Sequence, residues 1–353
     1  MSERAWRVLL APSILLIPLL MSCGGSADRA SLVPIGAGLR GPTGLAATTY
    51  ATGAVHASAL AFDDHGGLWI ATAAYDDTGT DAVLLASRPG EIAHPVITSL
   101  HTPLGLLWQG TTLYVAAKGG VEAYVGFDGT SFASRTTVLA VAADVGEVNG
   151  LARAPDGRLL VGISAPCDHC VPASPSSAAI VGFRPDGSDN RVYASGLRAA
   201  IALTFYPGTA DLFVTLNHRD DLGDKTPGDW LVLVSEGEKW GFPECWGQKT
   251  EPCTQLPQPV AVLDQHAAVS GVAIVTDELG PKLAHSAIVA EWAKGKVERV
   301  ALTKDASGYH GTATPFLRGM LNPMPVTLAR TGSVVVGDWS TGTIYAVDVV
   351  AKS

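Results

Sequence analysis

The sequence predicts an all-β protein, and more specifically a six-bladed β-propeller of four-stranded antiparallel sheets. Two observations indicate this fold: a short apolar pattern recurs six times, and turn-forming residues separate short apolar runs along the chain. The chain has 39 Gly and 22 Pro among 353 residues, and 47% of its residues are hydrophobic against 16% charged. This composition is typical of turn-rich β proteins and excludes a disordered or collagen-like chain.

The repeated pattern has four positions: an apolar residue, any residue, Val or Ile, and a small residue. It occurs as LWIA (68–71), LYVA (113–116), LLVG (159–162), LFVT (212–215), AIVA (287–290) and VVVG (334–337). Successive copies start 45, 46, 53, 75 and 47 residues apart. Repeats of this length are typical of propeller blades, because a single sheet cannot bury both of its faces without neighbours.

Each copy is the middle segment of a three-strand unit. An apolar segment precedes it, and turns such as DDHGG (63–67) or APDGR (154–158) join the two. Gly and Asp tolerate the backbone angles of such tight hairpins. A third apolar segment follows, for example AAIVGF at 178–183. A two-sheet sandwich is the alternative, but the regular spacing favours a propeller spanning residues 32–350, with the segment at 31–35 closing the last blade.

Residues 1–22 are predicted to be a lipoprotein signal peptide. Arg4 and Arg7 precede an apolar stretch from Val8 to Met21, which is shorter than the ~20 residues that a membrane-spanning helix needs. The stretch ends in LMSCGGS (20–26), which resembles a bacterial lipobox. We therefore expect lipid on Cys23, a lipidated tether over residues 23–31, and an exported protein anchored in the bacterial cell envelope, facing the periplasm or the cell surface. The alternative is an ordinary signal peptide with a chance cysteine.

Four cysteines remain for the domain itself: Cys167, Cys170, Cys245 and Cys253. An even number in an exported protein indicates disulfides, with three connectivities open. Proximity along the chain favours Cys167–Cys170 and Cys245–Cys253. A zinc site that includes His169 is the alternative.

The net charge indicates which class of ligand to exclude, and the lengths of the loops indicate where a ligand binds. The net charge is −9, and the chain has no cluster of Lys and Arg, so nucleic acid is not an expected partner. The longest interval between repeats contains extra residues at 217–266. Because propellers bind ligands where loops of several blades converge at the channel mouth, we expect the site beside this insertion.

Residues 196–247 carry the most distinctive motif, GLRAAIALTFYPGTADLFVTLNHRDDLGDKTPGDWLVLVSEGEKWGFPECWG. Together with APDGRLLV (154–161), the CxxC at 167–170, FRPDGS (183–188) and GTIY (342–345), it resembles the glucose/sorbosone dehydrogenases, the soluble six-bladed quinoproteins. The resemblance covers roughly residues 100–348. It implies oxidation of the C1 hydroxyl of an aldose sugar at the channel mouth, with pyrroloquinoline quinone (PQQ) and Ca²⁺. It does not indicate the electron acceptor.

Several positions depart from this family's pattern. Ala199 follows Arg198 where Asn is usual, and the family's late Arg aligns with Met324. The family's general base is a His about five residues before the strand that begins at Leu151, near Gly146, and no His is present there. Hydride removal from an alcohol requires a general base. The sequence therefore predicts weak or absent PQQ-dependent glucose oxidation.

The resemblance also implies candidate site residues. The candidate cofactor-binding residues are Arg198, Asn217, Arg219 and Lys294. Carboxylate oxygens suit Ca²⁺, and the candidate ligands are Asp220, Asp221, Asp224 and Asp229. The weak candidates for the base are Glu147, if desolvated, and His218. The alternatives are a structural ion pair between Arg198 and the acidic loop, a solvated acidic loop, and an exposed loop histidine. Lys296 is expected either to face the channel or to lie at an exposed blade edge.

Two functions therefore stay open. The first is an exported quinoprotein-like aldose dehydrogenase, and the second is a catalytically degenerate propeller that binds a sugar-like small molecule or a protein partner. A lactonase-like hydrolase with a central metal is a third, weaker interpretation. The fold alone does not separate them, because function depends on the site.

Overall fold

The computed structural model describes residues 31–76, 78–142 and 144–350. The predicted signal peptide, Cys23 and the tether before Ser31 lie outside these ranges. From Ser31 onward the chain forms one compact unit. In the described ranges, no helix has the length and apolar character needed to cross a bilayer.

The strands of the N-terminal half follow the predicted meander. Before the first blade come β1 (Val33–Gly36), β2 (Leu39–Gly41) and β3 (Leu45–Thr52). Blade 1 contains β4 (Ala57–Phe62), β5 (Leu68–Thr72), β6 (Asp81–Ala86) and β8 (His94–Leu100), with the short β7 (Glu91–Ile92) before its last strand. Blade 2 contains β9 (Gly105–Gln109), β10 (Thr112–Ala117), β11 (Gly120–Phe127) and β12 (Phe132–Ala140). Blade 3 contains β13 (Val148–Arg153), β14 (Leu159–Ile163), β15 (Ala179–Phe183) and β16 (Arg191–Ser195).

The C-terminal half repeats the unit three more times. Blade 4 contains β17 (Ala200–Phe205), β18 (Leu212–Leu216), β19 (Trp230–Val234) and β20 (Ala261–Val262). Blade 5 contains β21 (Val269–Val275), β22 (Ser286–Glu291), β23 (Lys296–Asp305) and β24 (Gly308–Arg318). Blade 6 contains β25 (Pro323–Leu328), β26 (Val334–Asp338) and β27 (Thr343–Val349). Three short 3-10 turns lie between strands, at Gly223–Lys225, Cys253–Gln255 and Trp292–Lys294.

The six sheets close into a ring, which confirms the predicted six-bladed propeller. The first strand of each blade contacts the first strands of both neighbouring blades, and β25 contacts β4 to complete the circle. These six strands therefore surround a central channel. Glycines let them approach closely: a Cβ added at Gly150 would lie 2.7 Å from the carbonyl oxygen of Ile201 in the next blade.

The second strand of each blade contains the repeated pattern and is buried, as predicted. β14, β18, β22 and β26 are buried at every position. Their side chains fill the space between adjacent sheets; Trp69 in β5, fully buried, lies 5.3 Å from the ring of Trp108 in blade 2. Each such side chain contributes roughly 1.5–3 kcal/mol by leaving water. Packing between blades is therefore the main source of stability.

The ring is closed by a different segment from the one predicted. β3 is the outer strand of blade 6 and pairs antiparallel with β27 from Leu45 to Ala51. The predicted closing segment at 31–35 contributes instead to β1, which pairs with β2. β2 in turn pairs with β24, on the edge of blade 5, through Arg40 and Arg318. Gly36 and Gly38 have positive φ values of 108° and 78°. These angles fold β1 back onto β2 as a hairpin. The edge of β1 is therefore paired with β2 and does not close blade 6.

Candidate functional site at the channel mouth

A cavity of about 1050 Å³ opens at the end of the channel where the loops after the second strands of blades 1 to 4 converge. We call it the mouth pocket. Its polar lining includes Tyr75, His101, Lys118, Glu147, Arg198 and Asn217. Three of the sequence-predicted site residues, Glu147, Arg198 and Asn217, are thus brought together. A second cavity, of about 580 Å³, continues along the channel, and Tyr75 lines both.

Arg198 borders the mouth pocket but is held by a residue that the sequence analysis missed. Its guanidinium forms a short ion pair with the Asp168 carboxylate, and its Nε donates to the Asp168 carbonyl oxygen at 3.1 Å. A further nitrogen donates to the carbonyl oxygen of Asn217 at 3.4 Å. The predicted alternative, an ion pair, is therefore present, although its partner lies in the Cys167–Cys170 loop. The position of Asp168 between two cysteines is the signal that would have pointed to it.

The acidic loop does not gather its carboxylates. Asp221 accepts two hydrogen bonds from Arg219, at 2.8 and 2.7 Å, which hold the pKa of its carboxyl below the usual range. Asp220 accepts a bond from His266 at 2.7 Å. Asp229 is buried, and burial raises its pKa. These three carboxylates have different partners, and Asp224 is exposed.

The four predicted calcium ligands are therefore not grouped around one point in this structure. Across the described ranges, no three His, Cys, Asp or Glu side chains are placed to hold one metal ion. Asp229 uses one oxygen for the backbone N–H of His218, at 2.9 Å, and the other for that of Val269, at 3.4 Å. Its carboxylate therefore connects the start of the acidic loop to blade 5.

Two of the cofactor candidates lie away from the mouth pocket. Arg219 is buried, and its guanidinium lies 4.4 Å from the ring centre of Trp246 as well as against Asp221. Lys294 is exposed and is not among the residues that line the pocket. Both predictions depended on position in a motif, whereas the direction of each side chain depends on neighbours distant in sequence.

His218 is buried rather than exposed, which corrects the loop-histidine alternative. It is 6% exposed, its ring lies 3.9 Å from that of Trp230, and its Nε2 has no hydrogen-bond partner within the described ranges. Burial, followed by the nearby charge of Arg198, lowers its pKa to about 3. So weak a base, shielded from the pocket, is unsuited to removing a proton from a sugar hydroxyl.

Glu147 faces the mouth pocket but is exposed, so the desolvation that the prediction required is not present. The sequence analysis missed its neighbour Tyr75. Tyr75 has a φ of 61°, a value that is uncommon for a residue with a side chain and that often marks functional loops. Tyr75 is 49% exposed on the wall of the cavity, and partial desolvation by the surrounding protein, followed by the charge of Glu147, raises the pKa of its hydroxyl. Tyr75 therefore stays neutral and offers a hydroxyl beside a carboxylate.

The family's base position is closed by the backbone itself. A Cβ added at Gly146 would lie 2.4 Å from the carbonyl oxygen of Ala165 and 2.7 Å from that of Ser164. Real side chains do not approach so closely. A histidine at this position would require the loop before β13 to move.

Both disulfides favoured by sequence proximity are present. Cys167–Cys170 and Cys245–Cys253 have Cα–Cα distances of 6.0 and 5.5 Å. The zinc alternative is therefore wrong. The first disulfide holds the loop that carries Asp168, and Cys167 itself borders the mouth pocket.

The acidic loop should become less protected as pH rises. His266 faces the Asp220 carboxylate and the Gly223 carbonyl oxygen, 2.7 and 3.0 Å away, and Lys294 nearby opposes its charge. Both oxygens accept hydrogen bonds, and the imidazolium, with an N–H on each ring nitrogen, donates to both. This preference for the protonated form raises the pKa of His266 above 6.5. A raised pKa means that the stabilisation is complete below the unfolded value and is lost as pH rises through the folded value.

We therefore expect hydrogen-exchange protection factors at 217–229 to fall between about pH 6 and pH 8.5, the range in which histidine titrates. His266→Gln keeps a donor but does not titrate, so its profile should be flat. Equal slopes in both proteins would show that the loop does not depend on His266.

The residues of the mouth pocket do not fit a PQQ site assisted by Ca²⁺. The quinone has three carboxylates that require cationic partners, but the arginine of the pocket already donates to Asp168. The four predicted calcium ligands diverge, and the base position has no room for a side chain. We therefore derive no catalytic step through these groups.

No protein-family model matches the chain, and no curated protein matches its sequence. Solved structures do match it. The carbohydrate-active enzyme of family AA12 from Trichoderma reesei has a TM-score of 0.72 at 16% identity, covering 92% of this chain and 98% of its own. The soluble aldose sugar dehydrogenase of Escherichia coli has a TM-score of 0.67 at 16% identity, with 87% and 100% covered. The PQQ-bound aldose sugar dehydrogenase of Streptomyces coelicolor has a TM-score of 0.65 at 17% identity, with 87% and 99% covered. The chain therefore shares its fold with these three solved structures.

Proposed function

We propose that this protein binds a small, hydroxyl-rich molecule of the sugar class in the mouth pocket and is not a PQQ-dependent oxidase of that sugar. The observation that carries the proposal is the convergence of polar side chains from separate blades on one open cavity. One of these groups, the buried Oδ1 of Asn217, has no hydrogen-bond partner within the described ranges, and the exposed Tyr75 lines the same cavity. Sugar hydroxyls donate and accept, so they satisfy both kinds of group.

The size and character of the pocket support a small molecule. Ligand pockets typically occupy about 300–1,000 Å³ and contain a few well-placed polar groups. The likeness to two aldose sugar dehydrogenases supports the sugar class. The same likeness is the reason to retain quinone-dependent oxidation as a second candidate, with Glu147 as its base.

Binding should appear as a ligand-dependent rise in melting temperature. A ligand at 100 times its Kd stabilises the folded state by about 2.7 kcal/mol. We expect one or more aldoses to produce such a rise, and Tyr75→Phe and Asn217→Ala to reduce it. Tyr309→Phe is the matched control, because that hydroxyl bonds to Asp211 away from the mouth pocket, at 2.9 Å. The absence of any rise across an aldose panel would contradict the proposal.

We also propose that the protein is exported and anchored by lipid on Cys23, as the lipobox-like segment indicates. Cys23→Ser should move the protein from the membrane fraction to the soluble envelope fraction, because one thioether-linked lipid anchor would be lost. Mass spectrometry of the wild-type protein should find residues 1–22 absent. A variant that stays in the membrane fraction with unchanged size would refute the anchor.

A further inference from the structure

Asp168 connects three loops at the rim of the mouth pocket. Its carboxylate pairs with Arg198, at the turn before blade 4. The same carboxylate accepts the backbone N–H groups of Asp220, at 3.1 Å, and Asp221, at 2.6 Å, in the acidic loop. The Cys167–Cys170 disulfide closes a loop with a sequence separation of 3 and so limits the movement of Asp168 within it. Arg198 is therefore held against a fixed counter-charge.

This pairing compensates the charge of Arg198. Arg198 is a permanent cation on the lining of the mouth pocket. Asp168 supplies a carboxylate directly on its guanidinium, and three N–H groups of Arg198 are directed at protein oxygens.

We infer that Asp168 determines the charge class of the ligand: by neutralising Arg198, it makes the mouth pocket select uncharged sugars over sugar acids. The inference rests on the proposed sugar-binding function and adds a selectivity residue to it. Asp168 acts through Arg198 and does not line the pocket, so it is a positioning residue. Without it, Arg198 has a free guanidinium edge, which binds carboxylates in a bidentate manner.

The test compares ligands that differ in charge, measured by titration calorimetry at about pH 6, where carboxylates are ionised and amines protonated. The probes are glucose, gluconate and glucosamine. Asp168→Asn should raise gluconate affinity relative to glucose by roughly tenfold or more, the effect of one charge-assisted hydrogen bond. Asp186→Asn is the matched control, because it changes the net charge equally at an exposed turn and bonds only to Ser188.

A second variant reverses the charge. Arg198→Gln leaves the Asp168 carboxylate without its cation, so it should raise glucosamine affinity relative to gluconate; this variant decides the matter if Asp168→Asn fails to fold. A merely structural role for Asp168 would weaken all three ligands alike. A folded Asp168→Asn protein with the gluconate-to-glucose ratio of Asp186→Asn would overturn the inference. Gluconate binding gained by Asp168→Asn, with no glucose binding by the wild type, would support the inference and contradict the proposed function.

Discussion

Purified protein supplied with PQQ, Ca²⁺ and glucose is expected to reduce an electron-accepting dye at least about 10²-fold more slowly than the typical enzyme turnover of ~10 s⁻¹. Loss of a general base alone costs roughly 10²–10⁴-fold. In this protein the base position cannot hold a side chain, His218 is buried with its pKa lowered to about 3, and Glu147 is exposed. The pairing of Arg198 with Asp168 should weaken binding of the quinone as well.

The assay should include a panel of aldoses and two variants. If Glu147 replaces the missing histidine, Glu147→Gln will abolish whatever dye reduction the wild type shows. A wild-type turnover above about 10 s⁻¹ that disappears in Arg198→Ala would establish a sugar dehydrogenase and refute our proposal. A rate that is unchanged in both variants would indicate dye reduction outside the mouth pocket.

Lys296→Ala is expected to destabilise the fold by about 3–5 kcal/mol, the usual cost of breaking a buried ion pair by removing one partner. The sequence predicted Lys296 in the channel or at an exposed blade edge, but its side chain is 8% exposed and lies among three carboxylates. The distances from Nζ are 2.5 Å to Glu298, 2.8 Å to Asp264 and 3.0 Å to Glu291. Glu291 and Glu298 are buried, so the variant leaves their charges without a partner.

The loss of folding stability in Lys296→Ala should depend on pH. Burial raises the pKa of Glu291 above its unfolded value. A carboxyl with a raised pKa favours the folded state at low pH and disfavours it as pH rises through the folded value. Urea denaturation should therefore show a larger penalty for Lys296→Ala at pH 8 than at about pH 5. Lys294→Ala, two residues away and exposed, should change stability by less than about 0.5 kcal/mol. Equal effects of the two variants would show that the buried carboxylates tolerate the loss of the ammonium.

The repeat predicted the blades well because each blade is formed mostly by strands that are consecutive in the sequence. Each copy of the pattern lies inside a second strand, such as LWIA within β5 and VVVG within β26. The closing strand β3 was missed, because an outer strand is half exposed and its sequence, LAATTYAT, mixes small, polar and apolar residues without a clear period. The pairing of β3 with β27 joins the two ends of the ring, so no local pattern indicates it.

The candidate site was predicted less well than the fold. Arg198, Asn217 and Glu147 do meet in one pocket, as their motif positions suggested. Asp168 was missed because its partners Arg198 and Asp220 lie 30 and 52 residues away. Tyr75 was missed because neither its place on the lining of the channel nor its positive φ is visible in the sequence. The acidic loop was interpreted as a metal site from its resemblance to the family's motif, and a motif does not show where carboxylates point.

The sequence by itself determined the fold class and the number of blades, since these follow from hydrophobic period and turn residues. It favoured the two observed disulfides through their short spacing but left their connectivity open. The tertiary structure decided the chemistry of the mouth pocket: the neutralisation of Arg198, the divergence of the four aspartates, and the burial of His218 and Lys296. Those properties arise where loops from different blades meet. They depend on distances of a few ångströms between residues far apart in the chain, and electrostatic interactions change sharply over such distances.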